Sequence, residues 1–339
     1  MNSSRRTTAA VLAVLSVAAV GLTACSSAGT AGGGGGGDDL TVAFVVGASS
    51  DPFFQAMKVG AETEAKAQGV KLTFQGDATT YSSATQIPVV NQVLATSPDG
   101  LVLGPTDPKA LQPVVDRAVS KGIPVVNVDT SVDDLDNVVS FITGDNGDGG
   151  SKAADAIANA IGYTNGTTYS VVVGLSSATS TTNVARLDGF KDQIAAKYPG
   201  IEIVATGYSE SNPATANTNV NNWLTAYPDL AGIFAIDGTN ASGAASALQA
   251  KGLTGKVALV GYDAYKTNVD LLKQGVFTAL IAQDPAQEGK LAVRSIVQTL
   301  RKDKAAAEIK QAVTLPNIII DKNTSAADIE KYTYIESAG

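Results

Sequence analysis

"LATSPDGLVLGPTD" (94–107) and "LTAYPDLAGIFAIDGTN" (224–240) follow one plan. In each, a helix-like segment ends at Pro-Asp, a short apolar run follows, and a polar loop closes the unit. About thirty residues after each Pro-Asp comes a second apolar run ending in an acid: "VNVD" ends at Asp129 and "VGYD" at Asp263. The two halves of the chain therefore echo each other, and each sets a carboxylate at the end of an equivalent run.

Working outward, the first half holds "LTVAFVV" (40–46), "VKLTF" (70–74), "GLVLG" (100–104) and "IPVVNVD" (123–129). These are runs of Val, Leu and Ile without strict alternation, as in parallel strands covered on both faces. Between them lie amphipathic segments. In "FFQAMKVGAETEAKAQG" (53–69), Phe54, Met57, Ala61 and Ala65 share one helical face and Gly69 marks a stop. Further helices are expected near 82–96 and 108–120. The pattern restarts with "YSVVVGL" (169–175), "IEIVATG" (201–207), "AGIFAID" (231–237), "KVALVGYD" (256–263) and "FTALIAQ" (277–283). A last helix over 285–301 puts Val293, Ile296, Val297 and Leu300 on one face. The expected fold is α/β, with two similar doubly wound parallel-sheet lobes. Ligands of such sheets bind beyond the carboxyl ends of the strands, which is where Asp129, Asp237 and Asp263 fall.

Composition narrows the chemistry. The 339 residues include 24 basic and 32 acidic side chains, one cysteine and no histidine. Without histidine there is neither a Ser-His-Asp triad nor His-ligated zinc, so an enzyme is not expected. An acidic surface argues against nucleic acid. The lone Cys25 has no disulfide partner, but its setting is informative. Arg5 and Arg6 precede an apolar run from Ala9 to Leu22, which has the shape of a signal-peptide core. Leu22-Thr23-Ala24-Cys25 resembles the lipobox of bacterial lipoproteins, in which the chain is cut before the cysteine and the cysteine carries lipid. Six glycines, Gly32 to Gly37, then form a tether.

Several loops offer binding groups. In "SSDPFF" (49–54), Asp51 suits an N-cap and Pro52 the first helical position. Phe53 and Phe54 are adjacent, so one is expected to pack inward and the other to face the cleft, where an aromatic face stacks on an apolar ligand surface. Carboxylates at three strand ends suit neighbouring hydroxyls, which they accept in pairs. "TGDNGDGG" (143–150) lacks the spacing of a calcium loop and the lysine of a P-loop; it reads as a crossing between lobes. The hydroxyl-rich stretch Ser176 to Thr182 reads as a polar loop, and Trp223 as a core residue of the second lobe.

Taken together, these motifs resemble the ribose-binding branch of the periplasmic sugar-binding proteins, the solute receptors of ABC importers. The resemblance runs from about Leu40 to Ile320. Asp51-Pro52-Phe53-Phe54 stands for the family's Asn-Pro-Phe-Phe, and Pro105-Thr106-Asp107 matches its Pro-Thr-Asp, with Gly104 where the family carries a polar contact. Val128-Asp129-Thr130 keeps the acid of Leu-Asp-Arg and loses its arginine. Gly144-Asp145-Asn146, Arg186 ahead of Leu-Asp-Gly-Phe190, Phe234-Ala-Ile-Asp237-Gly, Val260-Gly-Tyr262-Asp263-Ala and Ile281-Ala-Gln283 supply the rest.

The resemblance implies two lobes joined by a three-crossing hinge near Gly144, Gln283 and Pro316. Residues 1–24 would be the signal and 25–39 the tether. The N-terminal lobe would be 40–144 with 284–315, and the C-terminal lobe 145–283 with 316–339. In the cleft, Asp129, Asp263 and Arg186 would hydrogen-bond ligand hydroxyls or a ring oxygen. Phe53, Phe54 and Tyr262 would pack on apolar edges, and Asp51, Asp237, Asn146 and Gln283 would complete the polar ring. Several carboxylates against one guanidinium disfavour anions. A neutral monosaccharide or sugar alcohol is the expected ligand, with an amino sugar as the cationic alternative. No cofactor and no metal are implied. The expected partners are an ABC permease and ATPase, and the membrane through lipid on Cys25. The chain is expected to act outside the cytoplasm as a monomer. A receptor reporting to a sensor kinase or chemoreceptor is the alternative role.

Overall fold

The computed structural model describes residues 40–303, 308–309 and 311–335; the leader, Cys25 and the glycine tether lie outside them. The chain opens with β1 (Thr41–Ala48), α1 (Pro52–Gln68), β2 (Lys71–Asp77), α2 (Ser83–Ala95), β3 (Gly100–Leu103), α3 (Pro108–Ser120), β4 (Val125–Val128) and β5 (Ser140–Gly144). Up to β4, strand and helix alternate, which makes parallel neighbours because each helix carries the chain back to the end where the strands start; β5 then joins β4 parallel through a loop. The first sheet has the order β11-β5-β4-β3-β1-β2, its edge strand β11 (Ala312–Leu315) arriving late in the chain.

The second sheet repeats the scheme. It contains β6 (Tyr169–Leu175), β7 (Ile201–Tyr208), β8 (Gly232–Ala235), β9 (Ala258–Tyr262), β10 (Ala279–Ala282) and β12 (Ile318–Asp321), in the order β12-β10-β9-β8-β6-β7. Its helices are α4 (Asn146–Ala160), α5 (Thr181–Lys197), α6 (Pro213–Ala226), α7 (Gly238–Ala250), α8 (Lys266–Lys273) and α10 (Ala326–Tyr332), while α9 (Pro285–Arg301) packs on α1 and on β3, β4 and β5 of the first sheet. One difference separates the sheets: β11 joins β5 parallel, whereas β12 joins β10 antiparallel.

Alternate residues of β1 show why the strands read as continuous apolar runs. Ala43 and Val45 pack with Leu111 and Val115 of α3, whereas Phe44 and Val46 belong with Met57 of α1 and Val293 of α9. Both faces are covered, so neither can be polar. The same holds in the second sheet, where Val171 and Val173 meet Ile157 and Phe190, while Val172 lies on the side of Val220 and Leu248.

The chain passes between sheets after β5, after β10 and after β11. The three passages converge, since a Cβ on Gly144 would stand 2.9 Å from both Gln283 Oε1 and Asn317 Oδ1. Asn317 also donates to Asp145 O at 2.7 Å and to the Tyr262 hydroxyl at 2.6 Å. The stretch 143–150 is less of a loop than its composition suggests: it supplies the end of β5 and the first turn of α4. Gly144, Gly149 and Gly150 serve packing. A Cβ on Gly150 would lie 2.0 Å from Arg186 O, so α4 and α5 approach backbone to backbone.

Candidate ligand-binding site

Loops at the carboxyl ends of both sheets enclose a cavity with about 50 Å³ open to the centre of a water. One water needs roughly 10–15 Å³ of such space, so the cavity holds several. Eight of the ten residues singled out from the sequence line it: Asp51, Phe53, Phe54, Asp129, Arg186, Asp237, Asp263 and Gln283. The lobes touch around it. Asp51, before α1, accepts from the Tyr265 hydroxyl and from Thr239 Oγ1 at 3.2 Å, both in the second lobe. Thr179 Oγ1 donates to Asp107 at 2.7 Å across the opposite rim.

Asn146 and Tyr262 do not line the cavity; they hold Arg186 from behind. Asn146 Oδ1 accepts from Arg186 Nε at 2.7 Å, and the guanidinium lies 3.7 Å from the centre of the wholly buried Tyr262 ring. One face of the Tyr262 ring is thus taken up by a cation. Phe53 and Phe54 share the cavity wall. Both rings are buried and both reach the cavity, meeting edge to face with centroids 5.2 Å apart. Phe54 is backed by Tyr81, nearly parallel at 6.4 Å.

The four aspartates are not alike. Asp51 caps α1 by accepting from Phe53 N at 2.9 Å, besides its contacts across the cleft. Asp237 caps α7, accepting from Asn240 N at 2.9 Å, from Asn240 Nδ2 and from Ser176 Oγ at 2.8 Å. Asp263 accepts from Gly238 N at 2.9 Å, Gln283 Nε2 at 2.7 Å and the Tyr334 hydroxyl at 2.9 Å. Asp129, by contrast, receives no hydrogen bond on its carboxylate from the described residues, although it is only 6% exposed.

Burial outweighs this pattern of donors in setting the charge. Burial pushes Asp129 up to about 7, with Asp263 and Asp51 adding to the rise and Arg186 opposing it. Burial likewise raises Asp51 to about 7, against the Tyr265 and Phe53 hydrogen bonds. Asp237 is raised by burial, in spite of its donors. Arg186 loses solvation by burial, yet Tyr262, Asp263, Asp129 and Asp237 hold it above its ordinary range. Glu288, on the first turn of α9, is fully buried with no partner for either carboxylate oxygen among the described residues, and burial lifts it well above the usual range, helped by Asp129.

Sequence reasoning missed Tyr81, Ser176, Thr182, Asn183, Ser211, Thr239 and Tyr265, all on the cavity wall. Ser176 to Thr182 is a polar loop as read, but it leads into the first turn of α5 at the site. The only signal was its density of hydroxyls.

Residues 42–304 match the periplasmic binding protein domain. The chain belongs to the periplasmic binding protein family. It is therefore built as a binding protein rather than an enzyme. This periplasmic binding protein is 29% identical to the ribose import binding protein RbsB of Bacillus subtilis, over 82% of this chain and 87% of that one. It is 30% identical to the D-ribose/D-allose-binding protein of Pseudomonas aeruginosa, over 76% of this chain and 82% of the relative. Among solved structures, it resembles an ABC transporter solute-binding protein from Agrobacterium vitis bound with α-D-tagatopyranose. That match has a TM-score of 0.81 and 30% identity, covering 87% of this chain and 99% of the other.

Proposed function

We propose that this periplasmic binding protein is the extracytoplasmic solute receptor of an ABC importer. It takes a neutral monosaccharide or sugar alcohol into the cavity between its lobes and presents it to the permease. The observation that carries this reading is the mixture of groups in one cavity between the lobes. Aromatic rings at Phe53, Phe54 and Tyr81 stand beside an unpartnered carboxylate at Asp129 and an incompletely bonded guanidinium at Arg186. A sugar has apolar C–H faces and hydroxyls that both donate and accept. The bound sugars named for its relatives support the same class.

In this reading the lobes are 40–144 with 284–315 and 145–283 with 316–339, and they close over the ligand about the three crossings. Residues 1–24 direct export, Cys25 carries lipid, and 25–39 tethers a monomer to the membrane. Changing Cys25 to Ala should stop incorporation of labelled palmitate; label still entering the variant would remove the anchor from this account. For the ligand, calorimetry and thermal shift with neutral pentoses, hexoses and pentitols should find at least one saturable binder, since a ligand of the native state raises its melting temperature. A flat response across the panel, with binding of anionic solutes instead, would defeat the reading.

A further inference from the structure

Asn183 stands in the first turn of α5, is 5% exposed and lines the cavity. Its amide has a fixed orientation. Oδ1 accepts from the backbone N–H groups of Ser176 and Ser177, each at 3.0 Å. Turning the amide over would point an NH₂ group at two donors, so the oxygen and nitrogen are assigned by their surroundings. Nδ2 is thereby turned away from the loop and meets no acceptor among the described residues. Three residues on, along the same helix face, Arg186 spends Nε on Asn146 and Nη1 on Ile236 O at 3.0 Å. Its Nη2 has no hydrogen-bond partner among the described residues.

The acceptors of the cavity are mostly engaged by the protein itself. Asp51, Asp237 and Asp263 each accept from at least three protein donors. Counting carboxylates alone thus overstates the cavity's appetite for donors. What the enclosed space lacks is an oxygen that accepts from α5. A ligand oxygen placed there would give this donor, which opens onto the cavity, an acceptor.

We propose that Asn183 is a specificity-determining residue, its Nδ2 donating to one particular oxygen of the bound solute. This rests on the sugar-receptor reading and deepens it: α5 selects polyhydroxy ligands with acceptor oxygens facing Asn183 and Arg186.

The test compares wild type, Asn183→Asp and Asn183→Ala by calorimetry against D-ribose, D-allose, D-tagatose, xylitol and deoxy forms of whichever binds. Asn183→Asp keeps an oxygen for Ser176 and Ser177 while replacing the donor with an acceptor. Both variants should lose about tenfold or more in affinity, the worth of one hydrogen bond in a buried site. One deoxy analogue should be penalised in wild type and much less in Asn183→Ala, because the partner is already gone. If Asn183 merely braces the loop, Asn183→Asp will bind like wild type and every deoxy penalty will carry over unchanged; that result overturns the proposal alone. A wild type that binds none of these compounds and no other neutral pentose, hexose or pentitol, but takes anionic solutes, overturns both the proposal and the receptor reading beneath it.

Discussion

Asp129 and Asp263 hold the same station in the two lobes. Each follows the third strand of its sheet order, β4 or β9. Each has a left-handed backbone, with φ of 61° and 69°. Each gives its N–H at 2.8 Å to the neighbouring strand, to Ile142 O or Ile281 O. There the likeness stops. Asp263 is bonded by three protein donors, one of them Tyr334 near the end of the chain. The Asp129 carboxylate is bonded by none of the described residues. A repeated fold thus supplies two equivalent carboxylates, and the surroundings give them separate tasks. One braces the site, and the other keeps its carboxylate oxygens unbonded by the described residues.

The largest effect should come from removing the unpartnered member. Asparagine is the informative substitute, because it tolerates the left-handed backbone better than alanine. Asp129→Asn should weaken sugar binding by roughly 10- to 100-fold, as hydrogen bonds to charged groups are worth about 1.5–3 kcal/mol. The ligand-free fold should not suffer. Its pH response should change in a defined sense. With Asp129 raised to about 7 in the native state, the native protein holds more protons than the unfolded chain between pH 4 and 7. Stability from this group is therefore present at low pH and lost as pH rises through 7. Asp129→Asn removes that share, so thermal melts should show a flatter decline from pH 5 to 8 than wild type. Equal slopes would mean that Asp129 is ionised and satisfied in the native protein.

Asp263→Asn should do the opposite, costing stability before specificity. Gly238 N is a fixed donor, so the new amide oxygen must face it, and the NH₂ then meets Gln283 Nε2 and the Tyr334 hydroxyl, both of which have to reorient. An unsatisfied buried group costs about 1–3 kcal/mol, or roughly 2–5 °C in melting temperature for a chain of this length. A variant that melts like wild type but binds weakly would erase the distinction between the two aspartates.

How much of this was legible in the residues is itself uneven. The continuous apolar runs revealed both sheets, because strands buried on both faces leave no room for polar alternation. Pro-Asp followed by a strand, twice, exposed the lobe repeat. Strand β5 was hidden: "SFITG" alternates weakly and runs into the acidic, glycine-rich start of α4, so the whole stretch looked like loop. The antiparallel entry of β12 has no local signature either. Within the site, strand-end aspartates were visible because the fold puts strand ends at the cleft. Asn183 and Tyr334 were not, since one lies on a helix turn behind a hydroxyl-rich loop and the other is 71 residues from the carboxylate it serves. Nor does any sequence pattern disclose which aspartate keeps its carboxylate unbonded.

A smaller effect is expected at the clasp between the lobes. Tyr265 belongs to the second lobe and its hydroxyl donates to Asp51 of the first. Tyr265→Phe keeps the ring and deletes that bond. Affinity should fall by up to about tenfold, in line with a single hydrogen bond, and by the same factor for every ligand. Faster dissociation in stopped flow should account for it. A loss confined to one sugar would show that Tyr265 reads the ligand rather than the opposite lobe.

The smallest effect should come from Trp223→Phe, which tests whether the contrast between aspartates is local to the cavity. Trp223 lies on α6, 9% exposed, in the core with Val220 and Leu230. Its ring covers β7 so closely that a Cβ on Gly207 would come within 2.7 Å of it. It belongs to the lobe that braces Asp263, yet it is not on the cavity wall. Trimming the indole to a phenyl ring leaves a partly filled void, at a cost of about 1–2 kcal/mol in stability. Affinity should stay within about twofold of wild type, as expected for sites with no shared partners. Calorimetry and melting curves on one preparation measure both quantities. If affinity fell along with stability, the bracing of Asp263 would extend through the whole second lobe, and the contrast with Asp129 would be one of lobes rather than of two carboxylates.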